Sequence, residues 1–214
     1  MHYVYENQYA FDAGSLGFPS ILGCQAICFH TSRGLYGFHD AKSGARLGMS
    51  AADVSNAKLA EFAGWVQGEM QAGETGTALI GVINQGEQYT ASTAGNAEWK
   101  AVLTGLATSL GFAGDIRGAR VSSHVESGGS IYVQFDVAGN DCAVGFKRWS
   151  KLDSDHQHKV QPTSQGRVIW DKGASSYGAA PLYGSGTVAP VVRKNTNKGL
   201  NLNKIATKKF LTFA

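Results

Sequence analysis

Cys24 and His39 are the two residues whose types and spacing suit covalent catalysis. Cys24 lies in an apolar run, residues 20–30, and His39 ends a second short run that follows a turn signal, so the two runs predict a β-hairpin. If Thr31 and Ser32 form a two-residue loop, Cys24 lies directly opposite His39, and paired residues have Cβ atoms about 4.5–5.5 Å apart. A thiol and an imidazole at that separation can share a proton, which gives the nucleophile of cysteine amide chemistry.

The same two residues also have a purely structural explanation. Cys24 is small enough to act as a buried apolar residue, and His39 can be a strand histidine with satisfied hydrogen bonds. A change of register by one residue would move His39 to the other face of the sheet. The pairing therefore depends on the position of the turn.

Other thiols and imidazoles compete with this pair. Cys28 and His30 share the strand parity of Cys24, and we expect Cys28 to pack in the core. Cys142 opens a late strand without a histidine near it in sequence. His124 is a possible partner for a thiol. His156 and His158 form a His-x-His pair in a polar loop, and we interpret them as surface histidines rather than a metal site.

Alternating apolar runs and two helical patterns predict the elements around the pair. A helix is expected from Ser50 to Gly73 and another from Ala97 to Leu110, ended by Gly111. Beyond the hairpin, strands are expected at 77–83, 119–125, 130–137 and 142–149. The order ββαβαβββ predicts an α/β fold, a mixed β-sheet sandwich covered by the two helices.

Composition and charge limit the class of protein. The chain has 214 residues, 43% of them hydrophobic and 16% charged, which is typical of a globular domain. Residues 1–171 hold all 16 acidic and 12 basic residues, whereas 172–214 hold seven basic residues and no acidic one. We predict a catalytic domain over 1–172 and a basic, Gly/Ser/Pro-containing extension over 173–214, linker-like at 173–190. A basic tail suits nucleic acid, anionic lipid or an acidic protein face, but a solvated extension is the commoner case, so no nucleic-acid partner is predicted.

Several further expectations concern location and cofactors. An odd number of cysteines without a Cys-x-x-Cys pair argues against a disulfide framework and a structural zinc site. The start of the chain lacks the basic and apolar regions of a secretory signal, and no apolar run is long enough to span a membrane. We expect a monomer that needs no metal or organic cofactor and is not inserted in a membrane.

The motifs around the pair resemble those of a known enzyme family. Leu22-Gly23-Cys24-Gln25-Ala26-Ile27, followed by Gly37-Phe38-His39, is similar to the cysteine strand and histidine strand of the cysteine glutamine deamidases. These include the bacterial chemoreceptor glutamine deamidase and the catalytic domain of the cytotoxic necrotizing factor toxins. The spacing of 15 residues between cysteine and histidine is similar to that of the toxin branch. The resemblance covers roughly residues 18–147, and beyond the two motifs it consists of element order.

The resemblance implies a deamidase-like fold and conversion of a glutamine side chain in a target protein to glutamate, with Cys24 as nucleophile and His39 as base. In the chemotaxis enzyme a threonine six residues before the cysteine orients the histidine, but Phe18 stands there in this chain. Ser20, Asp12 or a main-chain carbonyl is left for that role, and the toxin branch resembles the last case.

The toxin-like spacing favours a bacterial virulence factor or effector, secreted or translocated into a target cell without a classical signal, and otherwise cytoplasmic. A chemotaxis receptor deamidase is the nearest alternative. A papain-like peptidase or peptidoglycan amidase would also use Cys and His, but its cysteine normally opens a helix. A binding module with an inactive site is the alternative outside enzymes.

Overall fold

A computed structural model of the protein describes residues 2–4, 7–41, 51–84, 89–121, 129–148, 202–206 and 209–213. The helices are α1 (Ala51–Glu69) and α2 (Thr93–Ser109). The first strands are β1 (His2–Tyr3), β2 (Tyr9–Asp12), β3 (Ser15–Ile21), β4 (Cys24–Thr31) and β5 (Leu35–Ala41). The later strands are β6 (Gly76–Ile83), β7 (Asp115–Arg120), β8 (Ile131–Ala138), β9 (Asp141–Arg148), β10 (Asn203–Lys204) and β11 (Leu211–Thr212).

The strands form two mixed sheets that pack face to face. Sheet I has the order β1-β3-β8-β9-β10, and sheet II has the order β11-β7-β6-β4-β5-β2. Each contains one parallel pair, β1 with β3 and β6 with β7. The chain is therefore mixed α/β with two helices and two mixed sheets, as predicted at this level.

Strand β4 supplies side chains to two separate cores, because successive residues of a strand point to opposite faces. Ala26 and Cys28 pack in the core between the two sheets. Ile27 and Phe29 pack in a second core between sheet II and the helices. This arrangement explains the uninterrupted apolar run around Cys24, since a strand covered on both faces has no polar side to show in the sequence.

Helix α2 begins earlier than the predicted Ala97. The Ser92 hydroxyl accepts a hydrogen bond of 3.0 Å from the Gly95 amide, which caps a helix that begins at Thr93. A side chain at position 95 would place a Cβ atom 2.2 Å from the Thr90 carbonyl oxygen, so the turn before the helix requires glycine. Gly111 follows the helix with φ +66°, which confirms its predicted role as the stop signal.

Two strand predictions differ from the structure. The strand predicted at 119–125 overlaps β7 (Asp115–Arg120) at Ala119 and Arg120, and residues 122–125 lie outside the described ones. Strand β7 pairs in parallel with β6. Its polar residues belong to a charge cluster at the strand, because the Arg117 side chain lies 2.7 Å from Asp115 and 2.9 Å from Asp141. The sequence does not predict β1 to β3, because β1 has two residues, β2 contains aspartate, and β3 contains glycine and proline, which are depleted in strands.

The C-terminal residues belong to both sheets. Strand β10 pairs with β9 and β11 pairs with β7, although both lie in the predicted extension 173–214. Phe213 is buried, with its ring 5.3 Å from that of Trp99. The end of the extension is therefore part of the folded body. The boundary at residue 172 and the linker at 173–190 lie outside the described residues.

Replacing Phe213 by alanine is expected to reduce the free energy of unfolding by about 3 kcal/mol, in the range for truncating a buried aromatic ring. Leu211→Ala serves as the control, because Leu211 on the same strand is 37% exposed and should cost less than about 1 kcal/mol. Urea denaturation followed by tryptophan fluorescence measures both. Equal and small effects would mean that the C-terminus is separable from the body.

Candidate active site

The hairpin register differs from the predicted one. The loop consists of Ser32 and Arg33, because the Thr31 amide donates to the Gly34 carbonyl at 2.8 Å and the Gly34 amide donates back at 3.3 Å. The Thr31 hydroxyl also donates to the Glu74 carboxylate at 2.5 Å, which fixes Thr31 as the last residue of β4. His39 consequently pairs with Ala26, and Cys24 pairs with Ala41. The prediction that Cys24 lies directly opposite His39 is wrong.

Cys24 and His39 nevertheless lie on the same face of sheet II. The loop starts one residue later than predicted, which moves the partner of Cys24 by two positions and so preserves the face. Cys24 and Ala26 both contribute to the core between the sheets, and His39 is the partner of Ala26. The two residues are diagonal neighbours, a relation in which longer side chains can still meet.

His39 is completely buried, and one ring nitrogen is held by the main chain. Its Nδ1 atom lies 3.1 Å from the Val4 carbonyl oxygen. A carbonyl only accepts hydrogen bonds, so Nδ1 carries the proton and Nε2 has the free lone pair. The Val4 carbonyl is itself fixed, because the Val4 amide donates to the Gly17 carbonyl at 2.8 Å.

The Nε2 atom of His39 is buried without a hydrogen-bond partner among the described residues. Burial lowers the pKa of His39 to about 4, although the bond to Val4 and the Asp40 carboxylate oppose this shift. At neutral pH the ring is therefore uncharged and Nε2 can accept a proton. This low pKa makes His39 a weak base at rest, so taking the proton of a neighbouring thiol depends on stabilisation of the imidazolium by the thiolate that forms.

Cys24 occupies the first position of β4, at the end of sheet II. It follows Gly23, which has φ +66°, and the half-exposed Leu22. The thiol donates to the Leu22 carbonyl at 3.5 Å, and the residue is 8% exposed. Cys24 is thus buried at the end of the strand, beside this turn.

The other two thiols lie deeper. None of the three cysteines forms a disulfide, but Cys28 is fully buried and contacts Cys142, which lies on sheet I. Burial, together with this contact, raises the pKa of the Cys28 thiol well above its ordinary value. Cys28 therefore has the packing role that the sequence predicts.

Of the three candidate groups for orienting His39, the structure describes the surroundings of two, Asp12 and a main-chain carbonyl. The Asp12 carboxylate lies 2.6 Å from His2 and accepts hydrogen bonds from the Gly14 and Ser15 amides, so these groups occupy it. The side chain of Ser20 is not among the described ones. A main-chain carbonyl, that of Val4, is the group in contact with Nδ1.

Phe18 packs near the imidazole. Its ring centroid lies 6.3 Å from that of His39, and it is fully buried. An aromatic ring excludes water from the imidazole but offers no hydrogen bond to orient it. The orientation of His39 therefore depends on the backbone contact to Val4.

A buried ionic cluster on the helix face of the hairpin was missed by the sequence analysis. Lys58 of α1 lies with its Nζ atom 2.8 Å from the Asp40 carboxylate and 2.9 Å from the Asn7 side-chain oxygen. Lys58 and Asp40 are both fully buried. Asp40 follows His39 in β5, so the cluster fixes the strand that carries the imidazole. Nothing in a helix sequence distinguishes a buried lysine from an exposed one.

Other candidates from the sequence do not form a site among the described residues. No group of three or more His, Cys, Asp or Glu side chains there could hold a metal ion. His30 is buried, which lowers its pKa, and faces the charges of Asp141 and Arg117. His124, His156 and His158 lie outside the part of the chain that the structure describes.

No protein-family model matches this chain, and no curated protein matches it. In the described parts of the chain, no helix is both long enough and apolar enough to cross a lipid bilayer. The function therefore has to be inferred from the residues of the site and their geometry.

Iodoacetamide is expected to alkylate Cys24 at least about tenfold faster than Cys28 or Cys142 in the native protein at pH 7, because only Cys24 lies at a strand end on the face of His39. Peptide mass spectrometry over a time course measures the three rates. His39→Gln should slow Cys24 and leave the other two unchanged. Equal rates for the three thiols would contradict activation of Cys24.

Proposed function

We propose that the protein is a cysteine-dependent glutamine deamidase that converts a glutamine side chain of a target protein to glutamate. One observation carries the proposal: a buried imidazole has Nδ1–H bound to a main-chain carbonyl and a free Nε2, on the sheet face that it shares with a strand-end cysteine. The resemblance of the Cys24 and His39 motifs to the cysteine glutamine deamidases supports it, as does the carbonyl in place of the missing threonine.

In the first half of the reaction, His39 Nε2 takes the proton of the Cys24 thiol. The thiolate attacks the carboxamide carbon and forms a tetrahedral oxyanion. Main-chain N–H groups around Gly23 and Cys24 stabilise this charge, and glycine at position 23 leaves space for the substrate. The imidazolium then protonates the amide nitrogen, the C–N bond breaks, and ammonia leaves.

In the second half, a water molecule hydrolyses the thioester. Neutral His39 removes a proton from the water as it attacks the thioester carbon, and the C–S bond breaks in the collapse of the second oxyanion. The proton returns to the sulfur, and glutamate is released. Cys24, His39 and water account for every proton transfer, so the proposed reaction uses no metal or organic cofactor.

The position of Cys24 favours a deamidase over a papain-like peptidase. The cysteine of a papain-like enzyme normally opens a helix, whereas Cys24 opens strand β4. The substrate proposed here is a protein, and the chain acts as a monomer. A virulence factor or effector, secreted or translocated into a target cell, is the biological setting that the toxin-like spacing supports, with a chemotaxis deamidase as the alternative.

The proposal is tested by incubating the protein with a bacterial or animal cell lysate and searching by mass spectrometry for glutamine residues converted to glutamate. Cys24→Ser is the inactive variant, and Cys142→Ser, which changes another buried thiol, is the matched control. Conversion by the native protein and Cys142→Ser, but not by Cys24→Ser, is expected. Peptide-bond cleavage, or no Cys24-dependent conversion in either lysate, would overturn the proposal.

A further inference from the structure

A cavity of about 510 Å³ lies where the C-terminal residues cross the edges of the two sheets. Its walls come from α2, β7, β9 and the two C-terminal strands. Among its lining residues are Asn96, Arg120, Phe146, Lys204, Ile205 and Lys209. Cavities of this volume bind compact ligands or short peptide segments.

The cavity lies at the same end of sheet II as Cys24. Gln25, the neighbour of Cys24, pairs with Ile83, and Ile83 pairs with Arg120. Arg120 is thus two strands away from Gln25, and neighbouring strands are about 4.8 Å apart, which gives a separation of roughly 10 Å. Cys24 faces the other sheet, whereas the Arg120 guanidinium lies beside Trp99 on the helix-facing side, so a peptide that reaches both has to pass around the strand ends and spans more than this backbone distance.

The charges that line the cavity are all positive. Arg120, Lys204 and Lys209 contribute cations, and no carboxylate is among the described lining residues. The body of the chain, residues 1–171, has more acidic than basic residues, whereas the charged side chains described in the lining of this cavity are all cations. An anionic ligand is the complement of such a surface.

Arg120 is held in a fixed position. Its guanidinium donates to the Asn96 side chain at 3.0 Å and to the Tyr89 and Thr90 carbonyls at 2.7 and 2.8 Å. It also lies 5.4 Å from the Trp99 ring. These three hydrogen bonds use three of its five N–H groups, so a fixed cation with remaining donors faces the cavity.

We propose that this cavity binds an acidic segment of the protein substrate, with an aspartate or glutamate a few residues from the glutamine that reaches Cys24. The apolar part of the wall, including Phe146 and Ile205, suits the side chains of a peptide better than an inorganic anion. This inference rests on the proposed deamidase function and names the substrate class of that site.

Binding is measured first, without any need for activity. The Cys24→Ser protein is titrated into a fluorescent peptide with one glutamine and glutamates three residues to either side, and into a matched peptide with glutamines in place of the glutamates. Tighter binding of the acidic peptide is expected, by about tenfold at low salt, with the difference shrinking at high salt. Equal binding of the two peptides, or binding of inorganic phosphate only, overturns the inference.

The residues are tested next. Lys204→Gln with Lys209→Gln in the Cys24→Ser background should remove the preference for the acidic peptide, whereas Lys100→Gln, an exposed lysine of α2 outside the cavity, should keep it. In the otherwise native protein the double variant should raise KM for the acidic peptide about tenfold and leave kcat unchanged. If deamidation occurs but KM does not respond, the cavity assignment fails and the deamidase proposal stands. If the acidic peptide binds through the lysines but is never deamidated, the deamidase proposal fails instead.

Discussion

Replacing Cys24 by serine is expected to lower the rate of glutamine deamidation by about 10⁴-fold or more, in the range seen when a catalytic nucleophile is removed. Serine nearly conserves the volume of cysteine, but it lacks the low pKa and the nucleophilicity on which the proposed reaction depends. The rate of ammonia release from a substrate identified in the lysate experiment measures the effect. Circular dichroism should show an unchanged fold.

His39→Gln is the companion variant, and it is expected to lose about 10³-fold of the rate. If the thiol and the imidazole act as one unit, the double variant should be no slower than Cys24→Ser alone. Losses that multiply in the double variant would mean that His39 does not activate Cys24. Full activity of Cys24→Ser would exclude the mechanism altogether.

Replacing Lys58 by methionine is expected to reduce the free energy of unfolding by about 3–5 kcal/mol, because it leaves the Asp40 carboxylate charged and buried without its cation. The native pair is completely buried, with 2.8 Å between Lys58 Nζ and the Asp40 oxygen. A domain has only about 5–15 kcal/mol of stability in total, so the variant should be close to unfolding at 37 °C. Urea denaturation measures the loss.

Two further variants control for the change of side chain. Lys100→Met, on the exposed side of α2, should change stability by less than about 0.5 kcal/mol. Lys58→Met combined with Asp40→Leu should recover part of the loss, since it removes both charges. A loss of less than about 1 kcal/mol for Lys58→Met alone would show that Asp40 does not depend on Lys58.

The central elements of the fold could be predicted from the sequence. From β4 to β9 the observed order is ββαβαβββ, because these elements have strong apolar patterns. The strands outside this part could not be predicted. β3 contains Gly17 and Pro19, and β10 and β11 are two-residue strands that exist only because both sheets have an edge to pair with.

The candidate site, like the fold, could be predicted from the sequence only in part. The sequence predicts that Cys24 and His39 share a face, and they do, because the loop has two residues as predicted and only its position differs. It does not predict which residue lies opposite which, because the hydrogen bonds that keep Thr31 in the strand come from Gly34 and from Glu74, 43 positions later. The Lys58–Asp40 pair was missed for the same reason: burial is a property of the tertiary structure.

The carbonyl that fixes His39 has a consequence for how this site can be mapped. Val4 contributes a peptide oxygen, and every amino acid at position 4 would contribute the same atom. An alanine scan would therefore find the cysteine and the histidine and score no third residue. Only a change in the path of the chain, such as a deletion of the first few residues or an insertion between positions 4 and 7, would take the oxygen away from the ring. Shortened versions of the protein that begin at β2 would keep the Cys24 and His39 side chains and lose the group that selects the tautomer of His39.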